Sequence, residues 1–180
     1  MDNLQQAFEL SRSFAQKGLN EAGQSNVSKE KWFYVWCGDI AGGFGELLKV
    51  MSENFLLDMT SEKILIKVGD VLWGVCALAM LNEITAKELS ESTDSQRGEA
   101  EFFGQCLIPV LELLNYGKKI CRDGVIYRPI DKIFLCEKLG LILLFLETFD
   151  LNKAILLTGA KLDKRHPNGY TPGESAGHNH

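Results

Sequence analysis

The sequence predicts an all-α protein, a helical bundle, and three observations carry that prediction. Only four prolines interrupt 180 residues. Alternating β-branched residues are nearly confined to Ile64–Ile66 and Val125–Tyr127, so the period-two pattern of strands is scarce. Apolar residues recur instead at spacings of three and four, which lay one stripe along a helix.

The elements follow in order. Leu4, Phe8, Leu10 and Phe14 mark a first helix over about residues 4 to 17, and the polar run "NEAGQSNVSKE" interrupts it. An aromatic-rich helix is expected from about Lys31 to Asn54, closing on Leu47, Leu48, Val50 and Met51. "TSEK" at Thr60–Lys63 supplies an N-cap, Thr60 or Ser61, for a helix running to about Leu81. "SESTDSQRGEAE", Ser90 to Glu101, has the composition of a linker. Three more helices are expected over about 102–120, 131–150 and 152–165, before the tail "HPNGYTPGESAGHNH".

Charge and cysteine usage narrow the function classes. A net charge of −5 argues against a binder of phosphate backbones, which presents an excess of Lys and Arg; nucleic acid is not the expected partner. The five cysteines are dispersed, form no CxxC pair and mostly stand among apolar neighbours, the pattern of free thiols in a reducing cytoplasm. The N-terminal "MDNLQQAFEL" lacks the basic and apolar regions of a signal peptide, and the apolar run "LILLFL" is far shorter than the roughly 20 residues that span a bilayer. A membrane is not expected either.

Within this pattern an internal repeat stands out. "KVGDVLW" from Lys67 and "KLGLILL" from Lys138 share a lysine and a glycine in the same relative places. "EKIL" at Glu62 and "DKIF" at Asp131 precede them, and "IAGGFGELL" from Ile40 is answered by "FFGQCLIPV" from Phe102. The expected organisation is a first half over 1–90, a linker over 91–101, a second and more degenerate half over 102–166 and a flexible tail over 167–180, the halves packing as one compact domain.

These residues resemble the all-α MazG-like nucleoside triphosphate pyrophosphohydrolases, the superfamily that also contains the dimeric dUTPases. "DIAGGFGELLK" stands where that family has a glutamate-rich "GEAGEL" helix, "EKILIKVGDVLW" where it has "ELGDVLW", and "AKLDKRHPNGYTPGES" is similar to its "KLxxRxPxGF" ending. The resemblance implies a bundle built from two MazG-like helix-pair repeats. It also implies a chemistry: carboxylates at i, i+3 on two helices converge on Mg²⁺, which bridges substrate phosphates and activates the attacking water. Carried over, the metal ligands are Glu46 and Asp70, while Gly43 and Lys67 occupy the places of the other two carboxylates. In the second copy Gln105, Ile108, Lys138 and Leu141 correspond.

Lys67 is thus expected as a metal-replacing residue, its ammonium between Glu46 and Asp70, because two desolvated carboxylates need a cation; a lysine snorkelling to water is the plainer reading. Asp39 and Glu53 are candidate compensating ligands if metal is still held. Lys161, Lys164 and Arg165, in the family-like ending, are candidate phosphate contacts, although a basic last turn also complements a helix C-terminus. Thr158 stands where the family commonly has asparagine. Trp32, Phe33, Tyr34 and Trp36 suit a core better than a base-stacking wall. The expected function is that of a MazG-like protein that binds a nucleotide or a protein partner and has lost pyrophosphohydrolase activity. The alternative is an active Mg²⁺-dependent enzyme releasing pyrophosphate; the resemblance also admits a homodimer.

Overall fold

The computed structural model describes residues 28–53, 60–97 and 103–165, with only the backbone at 103–106 and Arg165, and eight separate positions between Gln5 and Asn20. Among the described residues six helices form a bundle without strands: α1 (Lys29–Glu53), α2 (Glu62–Leu81), α3 (Ala86–Ser95), α4 (Phe103–Asp123), α5 (Lys132–Leu146) and α6 (Leu151–Arg165). Of the expected N-terminal helix, the described positions are helical, and Phe8, Ser11 and Ala15 are buried; the tail over 167–180 lies outside the described residues.

Side-chain caps set the helix starts. Ser61 accepts from the Ile64 amide, and Asp131 Oδ1 accepts from Ile133 and Phe134, both at 3.0 Å. Asp150 accepts from Lys153 at 3.0 Å. Thr85 and Glu88 form a capping box, each side chain bonded to the other's backbone amide. α4 stops at Gly124, whose φ of +78° continues the chain in the left-handed region while its amide bonds Ile120 O at 2.8 Å.

Two expectations change here. Residues 86–95 form α3, so the helix reaches into the expected linker, and the helix expected over 131–150 ends at Leu146. The polar composition of the "SESTDSQ" stretch concealed an amphipathic helix that buries Leu89, Ser90 and Thr93.

Helix pairing follows from close contacts. α1 and α2 run antiparallel, Gly43 against Val71 and Gly74 against Ile40; α4 and α5 do the same, Glu112 reaching Lys138 at 3.0 Å and Tyr116 packing on Phe134 with centroids 4.9 Å apart. α1 meets α4 where Gly117 lies against Cys37. Gly69 of α2 packs on Ala154 and Thr158 of α6, and Gly140 of α5 packs on Ser92 and Thr93 of α3. Exchanging the first three helices with the last three leaves this scheme of partners unchanged.

The core lies between these layers. Phe33, Ile40, Phe44 and Leu47 of α1 meet Leu65, Leu72 and Leu78 of α2, with Leu113, Ile120, Leu135 and Ile142 beyond, all fully buried. Each such side chain contributes roughly 1.5–3 kcal/mol by leaving water. α2 is long and apolar enough to cross a membrane, yet its sides are taken by α1 and α6. An apolar surface on nearly every side is what a central core helix needs.

Candidate functional site

Three helices bring four charges into one line. α1 presents Glu46, α2 presents Lys67 and Asp70 one turn apart, and α6 presents Lys161. The Lys67 ammonium donates to Glu46 Oε2 and lies 3.8 Å from Asp70 Oδ2, while Lys161 donates to Asp70 Oδ1. The order is Glu46, Lys67, Asp70, Lys161, alternating in sign and summing to zero. Lys67, Asp70 and Lys161 are about three-quarters buried, whereas Glu46 is mostly exposed. The Lys67 hydrogen bond holds the Glu46 carboxyl below its usual range, against the desolvation that opposes it.

Packing explains the alignment. A Cβ on Gly69 would lie 2.1 Å from Thr158 Oγ1 and 2.6 Å from Ala154 O, so glycine is what lets α6 come this close. Thr158, 2% exposed, donates to Ile66 O at 3.1 Å and locks the approach. Lys161 follows Thr158 by almost one turn and is thereby delivered to Asp70. At Gly43 a Cβ would sit 3.2 Å from Val71 Cγ2; a carboxylate there requires Val71 to give way.

The other candidates stand apart from this line. Asp39 is exposed and has no hydrogen-bond or ion-pair partner among the described residues, and desolvation pushes its carboxyl up to about 6. Glu53 pairs with Lys49 at 3.9 Å. Lys164 is exposed, and the Arg165 side chain lies outside the described residues. Phe33 and Trp36 are core and Trp32 is partly buried, while Tyr34 is exposed. Trp36 meets Trp73 edge-on with centroids 4.8 Å apart, and neither indole N–H has a partner among the described residues. Among the described residues no three His, Cys, Asp or Glu side chains converge as metal ligands.

In the second half the structure changes the register expected from sequence. Lys138, two residues before Gly140 as Lys67 is before Gly69, pairs with Glu112 at 3.0 Å and Glu137 at 2.9 Å, above the Phe134 ring. Burial opposes its charge, but the hydrogen bonds it donates to Glu137 and Glu112 hold the ammonium above its ordinary range. Glu112, not Ile108, therefore faces this lysine; Ile108 is 57% exposed. Spacing along the chain did not mark it: Glu46 and Lys67 stand 21 residues apart and Glu112 and Lys138 stand 26 apart, although both pairs link a helix to its antiparallel neighbour. Comparison with protein-family models, with curated proteins and with solved structures returns no match.

Proposed function

We propose that this chain is a MazG-like helical protein in which lysines have taken the place of the divalent cation, and that it binds a nucleotide or a protein partner without hydrolysing it. The observation that carries the reading is the alternating line Glu46, Lys67, Asp70, Lys161. Both carboxylates available to a metal already face ammonium groups, and a cation arriving at Asp70 would be repelled by two of them. Lys161 then serves to hold Asp70, which makes it a structural counter-ion before it is a phosphate contact. The pairing scheme that survives exchange of the two sets of helices supports reading the halves as a duplication. Free thiols at Cys37, Cys76, Cys121 and Cys136 fit a reducing cytoplasm.

Calorimetry and a pyrophosphate assay test the proposal together. The wild-type chain is expected to show no saturable Mg²⁺ binding at low millimolar concentration and no pyrophosphate release from common nucleoside triphosphates. The double variant Gly43→Glu with Lys67→Glu rebuilds four carboxylates, and without metal it should be destabilised by like-charge crowding. Mg²⁺ or Mn²⁺ should raise its melting temperature by binding only the folded state. Robust Mg²⁺-dependent hydrolysis by the wild type would refute the reading and restore the enzyme alternative.

A further inference from the structure

The loop between α4 and α5 is tied down at both ends, yet it turns two large apolar side chains outward. The Gly124 amide bonds Ile120 O at 2.8 Å and the Arg128 amide bonds Gly124 O at 3.0 Å. Tyr116 of α4 donates its hydroxyl to Pro129 O at 3.3 Å and accepts from the Asp131 amide at 2.6 Å, which clamps the far end of the loop. Arg128 reaches back to Asp123 at 3.1 Å. Val125 and Ile130 pack on the core, whereas Ile126 and Tyr127 between them are 87% and 86% exposed. Leaving two adjacent apolar side chains in water forgoes the gain that burial gives, and the bonds on either side keep them there.

The charge around this tip is opposite to that of the chain. From Lys118 to Ile133 five cations, Lys118, Lys119, Arg122, Arg128 and Lys132, stand against Asp123 and Asp131, in a chain of net charge −5. Arg122 and Arg128 share Asp123, so one carboxylate serves two guanidinium groups. An apolar pair rimmed by surplus cations is complementary to an anionic lipid surface, because apolar insertion and attraction to charged headgroups add in interfacial binding, and the headgroup layer is where tyrosine is enriched. A protein partner is the poorer fit: two apolar side chains of at most about 250 Å² each fall well short of the roughly 800 Å² that each side of a stable complex buries. Ile133, 82% exposed, borders Glu88 and Glu91 of α3 instead and is not part of the tip.

We propose that the α4–α5 loop docks the protein on an anionic lipid surface, with Ile126 and Tyr127 entering the headgroup layer and the surrounding cations facing its phosphates. The docking concerns a different part of the molecule from the Glu46–Lys161 line and does not depend on how that line is read.

Flotation of the full-length protein with vesicles tests it, using phosphatidylcholine alone and phosphatidylcholine with about a third phosphatidylserine, which supplies the negative surface that attracts basic segments. Saturable binding is expected to the second vesicle only, falling as salt is raised because exposed charges are screened. Arg128→Gln should weaken it about fivefold, the effect of one cation at such a surface. The pair Ile126→Ser with Tyr127→Ser should weaken it at least about tenfold, since apolar insertion supplies the other part, while Ile108→Ser, on an exposed stretch of α4 far from the loop, should change nothing. In Tyr127→Trp, brominated acyl chains should quench fluorescence beyond the wild-type signal, which contact through charge alone does not produce. Failure of the wild type to bind the anionic vesicles, undiminished binding by the serine pair, an equal loss in Ile108→Ser or an unquenched indole would each overturn the assignment. So would self-association of the wild-type chain in sedimentation that the serine pair abolishes, which would give the tip to a second copy.

Discussion

Two lysines, each two residues before a glycine, are held in different ways, and the contrast explains how each half is tied together. Lys67 reaches across to Glu46 and shares Asp70 with Lys161, so one line of charge joins α1, α2 and α6. Lys138 is held by Glu112 and its own neighbour Glu137, and that pairing stops at α5. In the second half the third helix is held by other means: Ser92 donates to Cys136 O at 3.1 Å, Arg97 pairs with Glu147 at 2.7 Å and Lys132 pairs with Glu88 at 3.0 Å. The first half relies on close backbone approach plus a shared carboxylate. The second spreads the same task over hydroxyls and surface ion pairs and leaves an open groove between α3 and α5.

The largest effect should come from the glycines. In Gly69→Ala the new methyl meets the Ala154 carbonyl at 2.6 Å, which only a backbone shift relieves, and a loss of roughly 3 kcal/mol or more is expected from such overpacking. Gly140→Ala meets the Ser92 hydroxyl at 2.8 Å, where a rotamer change helps, so about 1–2 kcal/mol is expected. Urea denaturation of both variants checks the order; equal losses would erase the distinction between the halves.

Next in size is Asp70→Leu, which writes the second half's residue into the first. It leaves Lys67 and Lys161 without their shared acceptor, and the loss of charge-assisted bonds at a mostly buried carboxylate should cost about 1.5–3 kcal/mol. Adding Lys161→Ser should recover part of that loss, and a double-mutant cycle measures the coupling. Strict additivity would mean that the line is a crystallisation of charges with no energetic link between α2 and α6.

A smaller effect concerns acid. Desolvation pushes the Asp39 carboxyl up to about 6 in the folded chain, above the roughly 4 of a free aspartate, so between these pH values the folded chain holds more proton than the unfolded one. Stability from this group is therefore greatest at low pH and declines as pH rises from about 4 to about 6. Its exposure limits the size. Glu46 acts in the opposite sense: the Lys67 hydrogen bond lowers its carboxyl in the folded chain, so stability falls as acidification passes below the ordinary glutamate range. Melting temperature against pH for Asp39→Asn should lack the first decline and keep the second.

The smallest change should be a gain. A Cβ on Gly45 meets nothing within 4 Å, and alanine lowers the unfolded chain's entropy, so Gly45→Ala should stabilise by about 0.5–1 kcal/mol. A loss in thermal melting would show that this face of α1 is covered in solution.

Local patterns made much of this architecture legible. Ser61 and Asp131 announce their helices because a cap is a contact between near neighbours, and the stripe of α2 can be read from Ile64, Leu65, Val68 and Leu72 alone. α3 was hidden by its polar composition, although Thr85 and Glu88 spell a capping box; too few apolar residues stand in ten positions to show a stripe. The counterpart of Glu46 was misplaced at Ile108 because a slip of four residues is close to one turn of about 3.6 residues, so it keeps the same helix face, and a short apolar motif cannot tell the two registers apart.

The sequence by itself determined where most helices run, which faces are apolar, and that Lys67 and Asp70 share a side of α2, because these depend on residues within two turns of one another. Only the tertiary structure decided that Lys161 closes on Asp70, that Glu112 and not Ile108 meets Lys138, and that a groove stays open between α3 and α5. Those outcomes depend on helix crossings set by Gly69 and Gly140, where the absence of a side chain fixes how near two backbones come. No spacing along the chain encodes which distant charge is waiting there.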